Sequence, residues 1–165
     1  MRFPYIDKGF SHPDIQRVFP QAKNIFKPEI KIAVRYGDVK RKLYALVDSG
    51  ADSCLFPRDV ADILGIDVRN GHKIFYTGIG GSQTLFYFHE VEIFVGKYKF
   101  KTMAGFANAG IGTSALLGQR GFFENFRVSF DNKNRFIEIK KSNLIQAIAS
   151  KLFPARILSR FKIDA

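Results

Sequence analysis

Apolar and polar residues alternate in short runs along most of the chain. Ile30, Ile32 and Val34 are separated by polar or small residues, which is the period of a half-buried strand. The turn pair Gly37-Asp38 follows, and the run 39–47 predicts the returning strand. The same alternation predicts strands over 72–77, 83–95, 98–106, 126–130 and 135–140. The chain is therefore predicted to be mainly β.

Helical spacing is confined to short segments. Pro57 suits the first turn of a helix and Gly65 suits its end, so the apolar residues between them predict one short helix. A second small helix is expected over 119–125, directly after the apolar run 115–118. The tail 141–165 combines apolar residues at helical spacing with several lysines and arginines, which predicts a basic C-terminal helix.

The length of 165 residues fits a single domain. We expect a core over 28–140, an irregular N-terminal arm over 1–27 and the basic tail over 141–165. The arm carries too many apolar residues to remain in water, so they are expected to pack on the core (Phe3, Ile6, Phe10, Val18 and Phe19).

Composition limits the classes of function. The lone Cys54 excludes an internal disulfide framework and reads best as a small buried residue rather than a thiol nucleophile. No signal-peptide pattern and no run of about 20 apolar residues is seen, so a cytoplasmic protein is predicted. His12, His72 and His89 lack the spacing of metal ligands, and neither a metal nor another cofactor is expected.

The formal net charge of +11 invites a nucleic-acid interpretation. The basic residues are nevertheless spread along the chain and alternate with apolar ones, as in Tyr98-Lys99-Phe100-Lys101. This is typical of the solvated face of a sheet, so no nucleic-acid partner is expected. Contact of the tail with anionic lipid is the less favoured interpretation of its basic helix.

The tripeptide Asp48-Ser49-Gly50 is the strongest sign of chemistry. It follows the apolar run 43–47, so a buried strand would carry a carboxylate to its exposed end and then turn sharply. Alone, these residues are also ordinary turn residues. The tripeptide occurs once, so chemistry that needs two carboxylates would require a second copy of the chain.

Two further motifs follow in order. Gly78-Ile79-Gly80-Gly81 lies between two predicted strands, and the run Leu116-Leu117-Gly118 comes later. The glycine segment is not followed by Lys-Ser/Thr and opens no helix, which argues against a phosphate cradle. Over residues 29–140 the three motifs together resemble the retropepsin family, the retroviral-type aspartic proteases and their cellular relatives.

The resemblance implies a retropepsin-like acid protease barrel with a flap hairpin, one or two short helices and a C-terminal helix. It implies an aspartic endopeptidase that acts on peptides or proteins as a homodimer. Asp48 would be the catalytic carboxylate, Ser49 would tie the two active-site loops together, and Gly50 would allow close approach of the peptide. The substrate side would be formed by Ala51, Asp52, Gly78, Ile79, Gly80, Gly81 and Leu117.

One departure from the family pattern affects the support of this loop. Viral members commonly place an arginine directly after the apolar-Gly run, where it pairs with an acid that here would be Asp52. This chain has Gln119 there and Arg120 one position later. Either Arg120 reaches Asp52 from a shifted register or the pair is missing. The departure keeps open an alternative function, a non-catalytic dimeric module that binds extended peptides by strand addition.

Overall fold

The computed structural model describes residues 1–9, 14–78, 81–109 and 114–142. Within these ranges the chain is mainly β, with two short α-helices and one 3-10 helix. The strands are β1 (Arg2–Pro4), β2 (Ile6–Asp7), β3 (Phe26–Lys27), β4 (Glu29–Tyr36), β5 (Val39–Val47), β6 (Leu55–Phe56), β7 (His72–Thr77), β8 (Gln83–Val95), β9 (Tyr98–Ala107), β10 (Ala115–Leu117), β11 (Phe126–Asp131) and β12 (Phe136–Lys141). The helices are α1 (Ile15–Val18), α2 (Arg58–Leu64) and the 3-10 turn Val68–Asn70.

Seven strands form the main sheet in the order β4-β5-β10-β6-β9-β8-β7. The long strand β8 also pairs with β4, so the six strands other than β7 close into a hydrogen-bonded ring. β7 pairs only with the first half of β8, at residues 83–88, and stands outside the ring. The predicted strands over 72–77 and 83–95 are confirmed, as is the mainly β fold.

The period-2 alternation of β8 explains how the ring is filled. Val91, Ile93 and Val95 have at most 2% of their surface exposed, while the residues between them are more open. Burial of each such side chain contributes roughly 1.5–3 kcal/mol to folding. The apolar positions of the predicted strand therefore face the core, and the positions between them face outward.

Helix α2 covers one side of this core with Val60, Ala61 and Leu64. Asp59 lies in its positively polarised first turn. Gly65 ends the helix with φ of +70°, a left-handed conformation that suits glycine, and its N–H donates to the carbonyl of Asp62 at 3.2 Å. The predicted helix and its end are confirmed.

The N-terminal residues differ from the expected irregular arm. β1 pairs with β12 in a three-stranded sheet of order β1-β12-β11, and β2 pairs with β3. The amino group of Met1 donates to the Ile139 carbonyl at 2.8 Å. Phe3 packs on the core as expected, but Val18 and Phe19 are 69% and 61% exposed. The α1 segment that carries them is only four residues long and buries none of its side chains.

The small helix predicted over 119–125 is replaced by consecutive turns. Gly121 adopts φ of +94°, which interrupts a right-handed helix at its centre. The N–H groups of Phe123 and Glu124 each bond to the carbonyl five residues earlier. The prediction of a small helix over 119–125 is therefore wrong.

The predicted C-terminal helix lies outside the described residues. No helix in the described ranges is both long and apolar enough to span a membrane. The cytoplasmic location and the division into arm, core and tail stay predictions.

Candidate active site

Asp48 lies where β5 leaves the sheet. β10 pairs in parallel with the end of β5, with Leu117 opposite Val47, and the N–H of Asp48 donates to the Leu117 carbonyl at 3.1 Å. On its other side β10 pairs with Leu55 of β6. The run 115–117 therefore passes behind the Asp48 loop and holds both of the strands that flank it.

The loop itself is a tight turn. The N–H of Gly50 donates to Asp48 Oδ1 at 2.9 Å, and the N–H of Ala51 donates to the Asp48 carbonyl at 3.3 Å. A Cβ on Gly50 would lie 3.3 Å from Asp48 Oδ1, closer than most side chains tolerate. A side chain at position 50 would therefore require the Asp48 carboxylate to move by a few tenths of an ångström.

Gln119 takes over part of the support that an arginine was expected to give. Its side-chain Nε2 donates to the Ser49 carbonyl at 2.6 Å, and its backbone N–H donates to the Ala51 carbonyl at 2.8 Å. Arg120 reaches Asp52 only through its backbone, N–H to carbonyl at 2.9 Å. The ion pairs among the described residues include none between the Arg120 and Asp52 side chains. The expected acid–arginine pair is thus replaced by an amide–carbonyl contact.

Gly118 lets this segment approach the loop. A Cβ there would lie 2.6 Å from the Ala51 carbonyl oxygen and closer still to that of Ser53. Any side chain at position 118 would push the two backbones apart. The glycine of the third motif is therefore required by packing.

Cys54 follows the loop and is fully buried. Burial raises the pKa of its thiol to about 11, and Sγ donates to the Arg120 carbonyl at 3.5 Å. A thiol that stays protonated and has no exposure is not a nucleophile. The interpretation of Cys54 as a structural residue is favoured by this geometry.

The glycine segment joins β7 and β8 as an antiparallel hairpin, which we call the flap hairpin (72–95) after the role that the family resemblance predicts for it. Gly78 donates its N–H to the Ser82 carbonyl at 3.2 Å, and Gly81, with φ of +79°, donates to the Gly78 carbonyl at 3.1 Å. Ile79 and Gly80 lie outside the described residues. A hairpin of this kind offers no helix N-terminus for a phosphate.

A cavity of about 540 Å³, the Asp48 cavity, opens between the loop and the flap hairpin. Its described lining consists of Asp48, Gly50, Ala51, Asp52, Leu55, Phe56, Tyr76, Thr77, Gly78, Thr84, Phe86, Ser114 and Leu116. The structure corrects the assignment of Leu117 to the substrate side. Leu117 is fully buried in the core, and Leu116 lines the cavity in its place because successive residues of a strand face opposite sides.

Sequence reasoning missed two residues at this site. Tyr76 Oη donates to Ser53 Oγ at 2.9 Å, which joins the flap hairpin to the segment after the Asp48 loop. Ser53 is only 4% exposed. The signal that could have pointed to Tyr76 is its position, an aromatic residue two positions before the glycine segment. No local pattern marks Ser53 as its partner.

Comparisons with known proteins agree with this architecture. A family model described as aspartyl protease matches residues 32–120, more than half of the chain. A retropepsin-like aspartic protease from Rickettsia conorii aligns with a TM-score of 0.51 and 22% identity, over 68% of this chain and 89% of that chain. The EIAV protease complexed with the inhibitor HBY-793 aligns with a TM-score of 0.44 and 21% identity, over 56% of this chain and 82% of that chain. No curated protein matches the chain. The chain belongs to the aspartyl protease family and has the retropepsin-like fold.

Proposed function

We propose that the chain is an aspartic endopeptidase whose active site is completed by a second copy of the chain. The observation that carries the proposal is that one chain presents only half of an active site, with one carboxylate where the chemistry needs two. Asp48 stands on a firmly held loop beside the Asp48 cavity, with Ser49 exposed next to it. The Ser49 hydroxyl has no hydrogen-bond partner among the described residues. A second copy related by a two-fold axis would supply both a facing carboxylate and a partner for this hydroxyl.

The chemistry follows from placing two Asp48 carboxylates side by side. Like charges about 3 Å apart cannot both ionise, so the pair shares one proton. The ionised carboxylate removes a proton from a water molecule held between them, and the protonated one donates to the oxygen of the peptide carbonyl. Water adds to the carbonyl carbon to give a tetrahedral diol, which collapses with protonation of the leaving amine. No acyl-enzyme forms.

The other predicted site residues would position the substrate. Gly50, Ala51 and Asp52 line the Asp48 cavity and would contact the peptide backbone. The flap hairpin would cover the peptide, with Gly78 to Gly81 at its end. Exclusion of water beneath the flap hairpin would strengthen each polar contact with the peptide.

Replacement of Asp48 tests the catalytic assignment. Asp48→Asn keeps the shape of the side chain but removes the base, so we expect peptide cleavage to fall by about 10⁴-fold or more. Cleavage of a peptide library is followed by mass spectrometry at acidic and at neutral pH. Asp38→Asn, an exposed turn residue outside the site, serves as the control and should cleave like the original chain. Undiminished cleavage by Asp48→Asn would refute the assignment.

A mixing experiment tests the shared site. If each active unit needs Asp48 from two copies, excess Asp48→Asn chain will capture active chains in mixed dimers. Activity should then fall well below the value expected from dilution. Activity that remains proportional to the amount of unmodified chain would mean that one copy suffices, and sedimentation at the same concentrations would show whether dimers had formed.

The alternative is a dimeric peptide-binding module without cleavage. It is favoured by the absence of an Arg120–Asp52 side-chain pair in the described structure. Under this alternative, peptides would bind stoichiometrically to the chain and to Asp48→Asn alike and would remain intact at every pH tested.

A further inference from the structure

The second cavity of interest lies on the far side of Tyr76. This Met103 cavity, of about 660 Å³, is lined among the described residues by Asp52, Ser53, Ile74, Tyr76, Phe88, Thr102, Met103, Gln119, Arg120 and Glu124. Only Asp52 and Tyr76 are common to the described linings of the two cavities. The boundary between the Asp48 cavity and the Met103 cavity therefore lies at these two residues.

Tyr76 is fixed at this boundary by contacts on both sides. Its ring lies edge-on to Phe86 of the Asp48 cavity, with ring centroids 5.7 Å apart. It stacks on Phe88 of the Met103 cavity, with centroids 6.1 Å apart. Its hydroxyl ends on the buried Ser53 Oγ at 2.9 Å. Tyr76 thus connects the flap hairpin to the segment that follows the Asp48 loop.

We propose that Tyr76 is the specificity-determining residue of the proposed peptide site. Its ring, held by Ser53, closes the Asp48 cavity toward the Met103 cavity and so limits the length of the apolar peptide side chain that the Asp48 cavity admits. This inference rests on the proposed peptide-binding function and adds the feature that selects among peptides.

The apolar character of the lining supports an apolar side chain as the occupant. Leu55 and Phe86 belong to one buried hydrophobic cluster, and both Tyr76 and Leu116 pack against it. A side chain that fits against them gains roughly 25 cal/mol for each Å² of apolar surface removed from water. One that is too long meets the Tyr76 ring and must break the bond to Ser53. Asp52, the other boundary residue, is exposed and offers no comparable barrier.

The test uses peptides that differ only in one side chain, from alanine through leucine to phenylalanine and biphenylalanine. Their affinities are measured in the Asp48→Asn background, so that binding is read without cleavage. In Tyr76→Ala, which removes the ring, the ratio of biphenylalanine to leucine affinity should rise by about tenfold or more. Tyr76→Phe and Ser53→Ala each remove only the hydrogen bond and should raise the ratio by a smaller, equal factor.

The double variant Tyr76→Phe with Ser53→Ala should match either single variant, because the same bond is lost in all three. Tyr44→Phe, which alters a half-exposed tyrosine elsewhere, is the matched control and should leave the ratio unchanged. Ser53→Ala keeps the proposal testable if Tyr76→Ala does not fold. An unchanged ratio, or an equal loss of affinity for every peptide, would overturn the proposal.

Cleavage rates of the same peptides by chains that retain Asp48 separate this inference from the proposed function. If no peptide is cleaved but the affinity ratio shifts as expected, the catalytic proposal fails and the role of Tyr76 stands. If peptides are cleaved and the ratio is insensitive to Tyr76, the catalytic proposal stands and the role of Tyr76 fails. Absence of peptide binding in all variants would overturn both.

Discussion

The Asp48 loop and the flap hairpin face each other across one cavity but are held in different ways. The loop is enclosed by β5, β10 and the 118–120 segment. Within that segment, Gln119 and Arg120 together donate hydrogen bonds to three loop carbonyls, those of Ser49, Ala51 and Asp52. β7 pairs with β8 alone and carries exposed residues at almost every position. A single side-chain bond, from Tyr76 to Ser53, connects the two regions in the described structure.

This difference suits the proposed chemistry. A carboxylate that must meet a second carboxylate at hydrogen-bond distance needs a loop that does not shift, since misplacement by about 1 Å costs roughly 10²-fold in rate. A flap that must admit a peptide needs weak attachment instead. The glycines of the two regions differ in the same way. Gly118 is tightly enclosed, whereas a Cβ on Gly78 would meet nothing within 4 Å among the described residues.

Alanine substitution at these two glycines should give the largest difference in stability. Gly118→Ala forces the chain away from the carbonyls of Ala51 and Ser53, and we expect the free energy of unfolding to fall by about 3 kcal/mol. Gly78→Ala, the matched control, should change it by less than roughly 0.5 kcal/mol. Urea unfolding measures both. Equal stability of the two variants would contradict the contrast between an enclosed loop and an open flap.

The sequence predicted much of this fold because its signals are local. The alternation over 72–77 and 83–95 defined both strands, and Gly65 marked the end of α2. The position of Asp48 at the end of a buried strand was equally visible. The predictions failed over 119–125, where the conformation of Gly121 interrupts the expected helix, and at Leu117, where a one-residue shift decides which side chain faces the cavity.

Long-range contacts could not be predicted from local pattern. β5 and β10 are parallel neighbours although about 70 residues separate them, and nothing in either run specifies the other. The contacts of Gln119 with Ser49 and of Tyr76 with Ser53 required the structure, because the partners lie 70 and 23 residues apart in sequence and no local pattern links them.

Gln119 offers a pH-dependent test of how firmly the loop must be held. In Gln119→Glu the ionised carboxylate cannot donate to the Ser49 carbonyl, whereas the protonated form can. We expect activity relative to the unmodified chain to be about tenfold lower at neutral pH, from loss of one hydrogen bond and added repulsion. The ratio should recover as the pH falls through roughly 4.3, where a glutamate gains its proton.

The control for this test is Gln16→Glu, which makes the same charge change on an exposed residue of α1. Its activity relative to the unmodified chain should not vary with pH. If the Gln119→Glu ratio stays low under acidic conditions, or if Gln16→Glu shows the same recovery, the Ser49 contact is not what holds the loop for catalysis.

The smallest expected effect concerns Asp131 in the three-stranded sheet, away from both regions. It shows how acid pH changes the stability of the whole fold, separately from any effect of acid on the Asp48 loop. Hydrogen bonds from the Asn134 side chain and backbone, each 2.9 Å, hold the pKa of Asp131 below its ordinary value of 3.8. A carboxylate with a lowered folded pKa stabilises the fold above its ordinary pKa, and this stability is lost as the pH falls through the folded value. Asp131→Asn should therefore lower the urea midpoint slightly at neutral pH. The difference should begin to shrink as the pH falls below 3.8 and should vanish once the pH is below the lowered folded value. In an Asn134→Ala background, which removes the side-chain donor, the difference at neutral pH should already be smaller. A midpoint difference that grows under acidic conditions would contradict this sign. The recovery of Gln119→Glu activity in acid would then include a contribution from the stability of the whole fold.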